Sequence, residues 1–242
     1  MSKKRIKVIV PILADEDCLN KAMIDCEAVS AADTQISVCG INWGPQVIEQ
    51  HYDDIWAELP TLLAAEQAER EGFDGVLIYC AGDPGLRAVR ERLNIPCAGP
   101  LESGVHLAYM LGRRFSVITT LPAGVNATED LLRLYDCSNR CASIRVLGLT
   151  VQELADQEKT IAATLREAES AITQDRADVL VLGCSLIRGV KDIIFQRWGV
   201  PVVEPAAIAI KLLEDMIELN ISHSKLAYPT PQPNRRLLPD NN

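Results

Sequence analysis

Two stretches of this chain, 104 residues apart, carry one pattern and each ends on a cysteine: Phe73-Asp74-Gly75-Val76-Leu77-Ile78-Tyr79-Cys80 and Ala177-Asp178-Val179-Leu180-Val181-Leu182-Gly183-Cys184. In both, an acidic residue precedes an apolar run. The match continues downstream, where Pro96 follows Cys80 by 16 residues and Pro201 follows Cys184 by 17. Upstream, the apolar stretch from Ile6 to Pro11 is answered by Phe115 to Thr120, and a polar loop and a helix-like stretch follow each. A repeat of this period restricts the chain to two similar halves. Each half presents a thiol at the end of a strand.

Short runs rich in Val and Ile at 6–11, 35–41, 75–80, 95–98, 115–120, 143–149, 178–183 and 200–203 read as buried strands. Between them, helical patterns cover 60–71, 86–93, 101–112, 128–135, 151–174, 189–198 and 206–219. Alternation of strand and helix predicts an α/β fold with parallel sheets covered by helices on both faces. Asp83-Pro84 and Thr128-Glu129-Asp130 read as helix start signals. The helix at 206–219 is expected to return to the first half, giving one lobe from 1–98 plus 206–242 and another from 99–205. The tail from Ser222, with Pro229, Pro231, Pro233 and Pro239, cannot continue a helix and is expected to wrap the surface and to be disordered at its end.

A chain of 242 residues with 48% hydrophobic and 24% charged residues is long enough for two packed lobes. The formal charge of −9 argues against a nucleic-acid or anionic-membrane partner, both of which reward a basic face. No stretch has the roughly 20 apolar residues of a membrane span, and the N-terminus lacks the apolar region of a signal peptide. A cytoplasmic protein with reduced thiols is expected, although there are eight cysteines. Cys137 and Cys141 lack the second pair that zinc requires, so no metal is expected. Neither a dinucleotide fingerprint nor a phosphate loop is present, which leaves no cofactor signature.

Ligands of open parallel sheets bind beyond the carboxyl ends of the strands, where Cys80 and Cys184 are predicted to lie. Two halves facing each other about a pseudo-twofold axis bring the thiols to one cleft from opposite sides. Such a pair can remove a proton from one face of a carbon and return one to the other. A helix N-terminus after each cysteine is expected to lower the thiol pKa towards neutrality. Backbone amides of Ala81, Gly82 and Asp83, and the turn at Ser185, can hold the oxygen that gains charge as the carbon is deprotonated. The other six cysteines have no repeat-matched partner and read as buried packing residues. His51, His106 and His223 form no spaced cluster.

The run Cys80-Ala81-Gly82-Asp83-Pro84-Gly85-Leu86, with Arg90-Glu91 and then Pro96-Cys97-Ala98-Gly99-Pro100-Leu101-Glu102, resembles the first-cysteine region of the hydantoin and allantoin racemases, within the aspartate/glutamate/hydantoin racemase superfamily. Gly44-Pro45, Ile48-Glu49, Gly183-Cys184, Ser224-Lys225 and Tyr228 support the resemblance along nearly the whole chain. It implies two pseudosymmetric Rossmann-like lobes with the active site between them, a homo-oligomer, and no cofactor. It implies Cys80 and Cys184 as the acid/base pair. Pro11, Thr119, Thr120 and Ser185, with the loop after Cys80, become candidates for holding the substrate.

In two places the chain departs from the pattern. Val10-Pro11-Ile12-Leu13 stands where such enzymes commonly carry an Asn-Pro-Asn-Thr type motif, and Ser185-Leu186-Ile187 stands where hydantoin racemases usually have Ala-Gly-Met. Both changes make the pocket more apolar. The expected activity is racemisation or epimerisation of a small carbonyl-activated substrate, a 5-substituted hydantoin or an allantoin-like ureide. An Asp/Glu-type amino-acid racemase, a maleate-type isomerase, a decarboxylase and a non-catalytic small-molecule sensor are the alternatives on the same scaffold.

Overall fold

The computed structural model describes residues 3–232, so Pro233, Pro239 and the expected disordered end of the tail lie outside the described residues. Two four-stranded parallel sheets are present. The first has the order β2-β1-β3-β4, from β1 (Lys4–Val10), β2 (Thr34–Gly40), β3 (Gly75–Ile78) and β4 (Cys97–Ala98). The second has the order β6-β5-β7-β8, from β5 (Phe115–Thr119), β6 (Cys141–Val146), β7 (Val179–Leu182) and β8 (Val202–Val203). All pairings are parallel, and the strand order of one sheet repeats that of the other. The α/β reading and the two halves of the repeat are therefore both present in the fold.

Apolar β3 and β7 are buried along their whole length, as central parallel strands covered on both faces must be. The helices that cover them are α1 (Glu16–Val29), α2 (His51–Arg70), α3 (Leu86–Arg92) and α4 (Pro100–Leu111) in the first half of the chain. The second half supplies α5 (Ala123–Leu134), α6 (Gln157–Thr173), α7 (Lys191–Trp198) and α8 (Pro205–Glu218). Two of these cross over. Although α4 follows β4, its Leu101, Val105 and Ala108 pack on Phe115, Val117, Val179 and Val181 of the second sheet. Although α8 follows β8, its Ala209, Ile210 and Leu213 pack on Ile6, Val8 and Leu77 of the first. The two crossing helices also pack on each other, and a Cβ at Gly104 of α4 would come within 3.1 Å of Pro205 of α8.

Several helix limits differ from the sequence reading, each for a physical reason. Helix α1 falls outside the predicted segments because only Ala22 and Cys26 of its length are fully buried, which leaves a weak periodicity. The Asp15 side chain nevertheless caps it by accepting from the Cys18 amide (2.9 Å). Helix α2 begins nine residues before Pro60, at His51, where Asp53 accepts from the Glu49 and Gln50 amides (3.0 and 3.2 Å). Pro60 lies inside the helix and leaves the Trp56 carbonyl without an intrahelical donor. Helix α5 starts at Ala123, so Thr128 is an interior residue and caps nothing. The long segment predicted from Val151 starts as a helix only at Gln157, where Asp156 accepts from the Lys159 amide (3.1 Å).

Asp83 caps a different helix from the one its position suggests. Gly85, in the left-handed region at φ 72°, precedes α3, while the buried Asp83 carboxylate reaches α4 and accepts from the Leu101 and Glu102 amides (3.1 and 2.9 Å). The Tyr135 hydroxyl, just beyond α5, donates to the same carboxylate at 2.8 Å. The tail turns back over the first sheet's side as expected: Lys225 Nζ donates to the Arg90 and Glu91 carbonyls at the end of α3 (2.9 and 3.1 Å). His223 Nε2 lies 2.9 Å from the Cys97 amide, and burial lowers its pKa to about 4, which keeps the ring neutral and able to accept.

Replacing Asp83 by Ala removes a cap and leaves the Tyr135 hydroxyl unpaired, for an expected loss of about 2–3 kcal/mol. Denaturant unfolding measures this through the transition midpoint, and an unchanged midpoint would contradict the assigned role.

Candidate active site

The parallel strands of both sheets end at a single cleft, and the repeat sets what stands there. Cys80 comes two residues after the end of β3, and Cys184 two residues after the end of β7. Both line the same cavity, with Pro11 beyond β1 and with Thr119 and Thr120 at the end of β5. Ala81, Gly82 and Ser185 complete the predicted set within it. Asp83 is the exception. Its carboxylate is used in the fold by three donors, and it does not line the cavity.

Pro11 and Ile12, with Val47, Ile48, Val151 and Leu186, give the cavity an apolar wall, and its volume is about 160 Å³. A cavity of that size admits one small ring. Within this wall, two polar atoms, Asp54 Oδ1 and Ser185 Oγ, are shielded from solvent and have no hydrogen-bond partner among the described residues. Buried polar groups are seldom left this way, because each unmade bond costs about 1–3 kcal/mol. A ligand bearing its own donors and acceptors would supply the missing partners.

Each cysteine sulfur meets a backbone amide two residues downstream. The Gly82 amide donates to Cys80 Sγ at 3.4 Å, and the Leu186 amide favours the Cys184 thiolate in the same way. Burial outweighs these single bonds, pushing Cys80 up to about 12 and raising Cys184 as well. The expected lowering towards neutrality is therefore not found: both thiols are raised. Helices α3 and α7 start only at Leu86 and Lys191, and the amides that act on the sulfurs are those of Gly82 and Leu186, ahead of either helix.

Sequence reasoning missed two acidic residues of the site. Glu49 lines the cavity and spans its two halves, its carboxylate accepting from the Val151 amide of the opposite half at 2.9 Å. Asp54, on the first turn of α2, faces the Cys80 side, and burial pushes its pKa up to about 6. The false helix start at Pro60 put Asp54 in a loop, whereas the Gln50 to Asp53 start signal would have placed it on a helix aimed at the cleft. Cys18 also lines the cavity and is not confined to packing. Among the described residues, no group of three or more His, Cys, Asp or Glu side chains is arranged to hold a metal, and no helix is long and apolar enough to cross a membrane.

The Asp/Glu/Hydantoin racemase family matches residues 14–213. A hydantoin racemase of Pseudomonas sp. (strain NS671) is 36% identical over 213 residues, which is 86% of each chain. The crystal structure of allantoin racemase from Pseudomonas fluorescens superposes with a TM-score of 0.90 at 32% identity, covering 96% of this chain and 99% of that one. Allantoin racemase from Klebsiella pneumoniae gives a TM-score of 0.89 at 30% identity over 98% and 97% of the two chains. The chain belongs to the Asp/Glu/hydantoin racemase family. It is an enzyme of the isomerase class, on the fold that the repeat predicts.

With both thiols raised, the thiolate fraction of either climbs about tenfold per pH unit below its pKa. If one of these thiolates acts in turnover, kcat/KM is expected to rise with pH between 7 and 9. A profile flat across that range would mean that a thiolate is already resident at neutral pH.

Proposed function

We propose that this enzyme racemises a neutral five-membered cyclic ureide, a 5-substituted hydantoin, by two-base proton transfer between Cys80 and Cys184. The observation that carries the reading is the pairing of two repeat-equivalent thiols in one cavity lined by no Lys, Arg or His among the described residues. Glu49 and Asp54 supply only negative charge there. Burying a substrate carboxylate beside them without a counter-charge is costly. This weighs against an Asp/Glu-type amino acid, a maleate-type dicarboxylate or a malonate, and it favours a ring whose own carbonyls make the adjacent C–H acidic.

In one direction, the thiolate of one cysteine takes the C5 proton and becomes a thiol, and the electron pair moves onto the ring carbonyl oxygen. The Thr119 and Thr120 hydroxyls and the loop amides after each cysteine are the donors available to that oxygen. The opposite thiol then delivers its proton to the other face of C5 and is left as the thiolate. Atoms balance, and the enzyme ends with its protonation reversed. Burial also suits the chemistry, because a thiolate with a raised pKa is a stronger base towards carbon. The apolar wall from Pro11, Ile12 and Leu186 favours an alkyl or aryl group at C5 over the polar ureido arm of allantoin. Eight unpaired cysteines are in keeping with a reducing, cytoplasmic setting.

Incubating one enantiomer of a 5-alkylhydantoin in deuterated water is expected to give loss of optical rotation together with deuterium at C5. Cys80→Ser and Cys184→Ser should each slow racemisation by about 10²–10⁴-fold, the usual contribution of a positioned acid or base, while one-sided exchange survives. Full racemisation by either variant would remove the two-base assignment. Absence of exchange in the unaltered enzyme across alkyl and aryl hydantoins would remove the substrate class.

A further inference from the structure

The two thiols are related by the repeat, but their charged neighbours are not. On the Cys80 side stands Asp54: a Cβ placed on Gly82 would lie 3.4 Å from Asp54 Oδ1 and 3.6 Å from Cys80 Sγ, so carboxylate and sulfur flank the same glycine. Asp54 Oδ1 is shielded from water and unpartnered among the described residues, leaving its charge poorly compensated. Around it are His51, whose Nδ1 is 3.8 Å from Oδ2, and the further carboxylates Asp53 and Glu58 of α2. His51 also faces Asp130 of α5 at 3.7 Å. On the Cys184 side, among the described residues, no carboxylate of the second half lines the cavity. The charged residue nearest in sequence is Arg188, whose Nε lies 3.4 Å from the Ser185 carbonyl and whose guanidinium pairs with Asp25 at 2.5 Å.

We infer that Asp54 is a positioning residue for Cys80: its carboxylate holds the proton on that thiol, so that Cys184 is the first of the pair to ionise. This rests on the two-thiol reading of the site and adds to it an order of ionisation. The physical cause is Coulombic. An adjacent carboxylate disfavours a second negative charge on Cys80, whereas among the described residues no carboxylate of the second half lines the cavity beside Cys184, and Arg188 is already paired with Asp25. Burial is the largest cause raising each thiol; beyond it, the Asp54 and Asp83 charges act to raise Cys80 further, and no carboxylate acts on Cys184 in the same way. The enantiomer whose C–H faces Cys184 is then deprotonated directly, while its mirror image waits for the protonation of the pair to invert.

The test reads thiol ionisation rather than turnover. Iodoacetamide labelling followed by peptide mass mapping gives the alkylation rate of each cysteine against pH, with Cys80→Ser and Cys184→Ser each isolating one thiol. In the unaltered protein the Cys184 profile is expected to rise at least one pH unit below that of Cys80. Asp54→Asn should move the Cys80 profile down by about one unit, which is about tenfold faster labelling at pH 7.5. It should leave the Cys184 profile within about twofold, and Asp54→Glu should restore the original order. An unmoved Cys80 profile in Asp54→Asn, equal movement of both thiols, or Cys80 ionising before Cys184 in the unaltered protein would each overturn the inference. Because no substrate is involved, a protein that ionises in this order yet exchanges no hydantoin would refute the proposed substrate and leave the role of Asp54 standing.

Discussion

The packing of α4 against α8 is the contact on which the cleft depends. Each helix leaves the last strand of one sheet and covers a face of the other, so neither sheet is fully buried without a helix delivered by its partner. Close approach at Gly104 and Pro205 ties the two crossings together. The exchange fixes how the carboxyl ends of β3 and β7 face each other, and therefore where the two sulfurs stand. Asp83 strengthens the same joint from inside, because one carboxylate in the loop after Cys80 caps α4 and takes the hydroxyl of Tyr135 beyond α5. The sequence that resembles a catalytic loop thus also carries a structural load.

Burial has two opposed effects at such a site. It raises the thiols and so lowers the fraction of enzyme holding a thiolate, yet it makes the thiolate that does form a stronger base. It also sharpens every charge left inside, so a cavity lined among the described residues by Glu49 and Asp54 and by no Lys, Arg or His disfavours a buried anion. The Ser185 hydroxyl and the Asp54 oxygen, unpartnered among the described residues, mark positions where a ring bearing both N–H and C=O groups can supply hydrogen-bond partners.

The fold and the two thiols were legible because they rest on local apolar runs. β3 and β7 are buried throughout, so their pattern survives in the sequence without reference to anything distant. Glu49 and Asp54 were not legible. Both depend on where α2 begins, and Pro60 imitates a helix start while the true one is set by Asp53 reaching back to two amides. Around Asp54, Tyr52, Ile55, Trp56 and Leu59 are exposed apolar residues, so the helix has no clean polar face from which the inward direction of its carboxylate could be read. Asp83 misled for a different reason. A cap that acts on a helix 18 residues downstream leaves no local signature, and its neighbour Pro84 pointed to the nearer one.

A pseudo-twofold site with unequal charges raises the question of how it can serve a symmetric reaction. Enantiomers of a free substrate have the same free energy, so the equilibrium constant is unity and the two directions must share one value of kcat/KM. Placing Asp54 beside Cys80 cannot therefore favour either product. What it can do is divide that common ratio differently, giving the enantiomer whose C–H faces the first thiol to ionise one pair of kcat and KM values and its mirror image another. Geometric symmetry of the strand ends supplies two faces for one carbon, and broken charge symmetry supplies a defined starting proton. A racemase needs the first for its chemistry and gains from the second a site that is never left with two thiolates facing one another across one cavity.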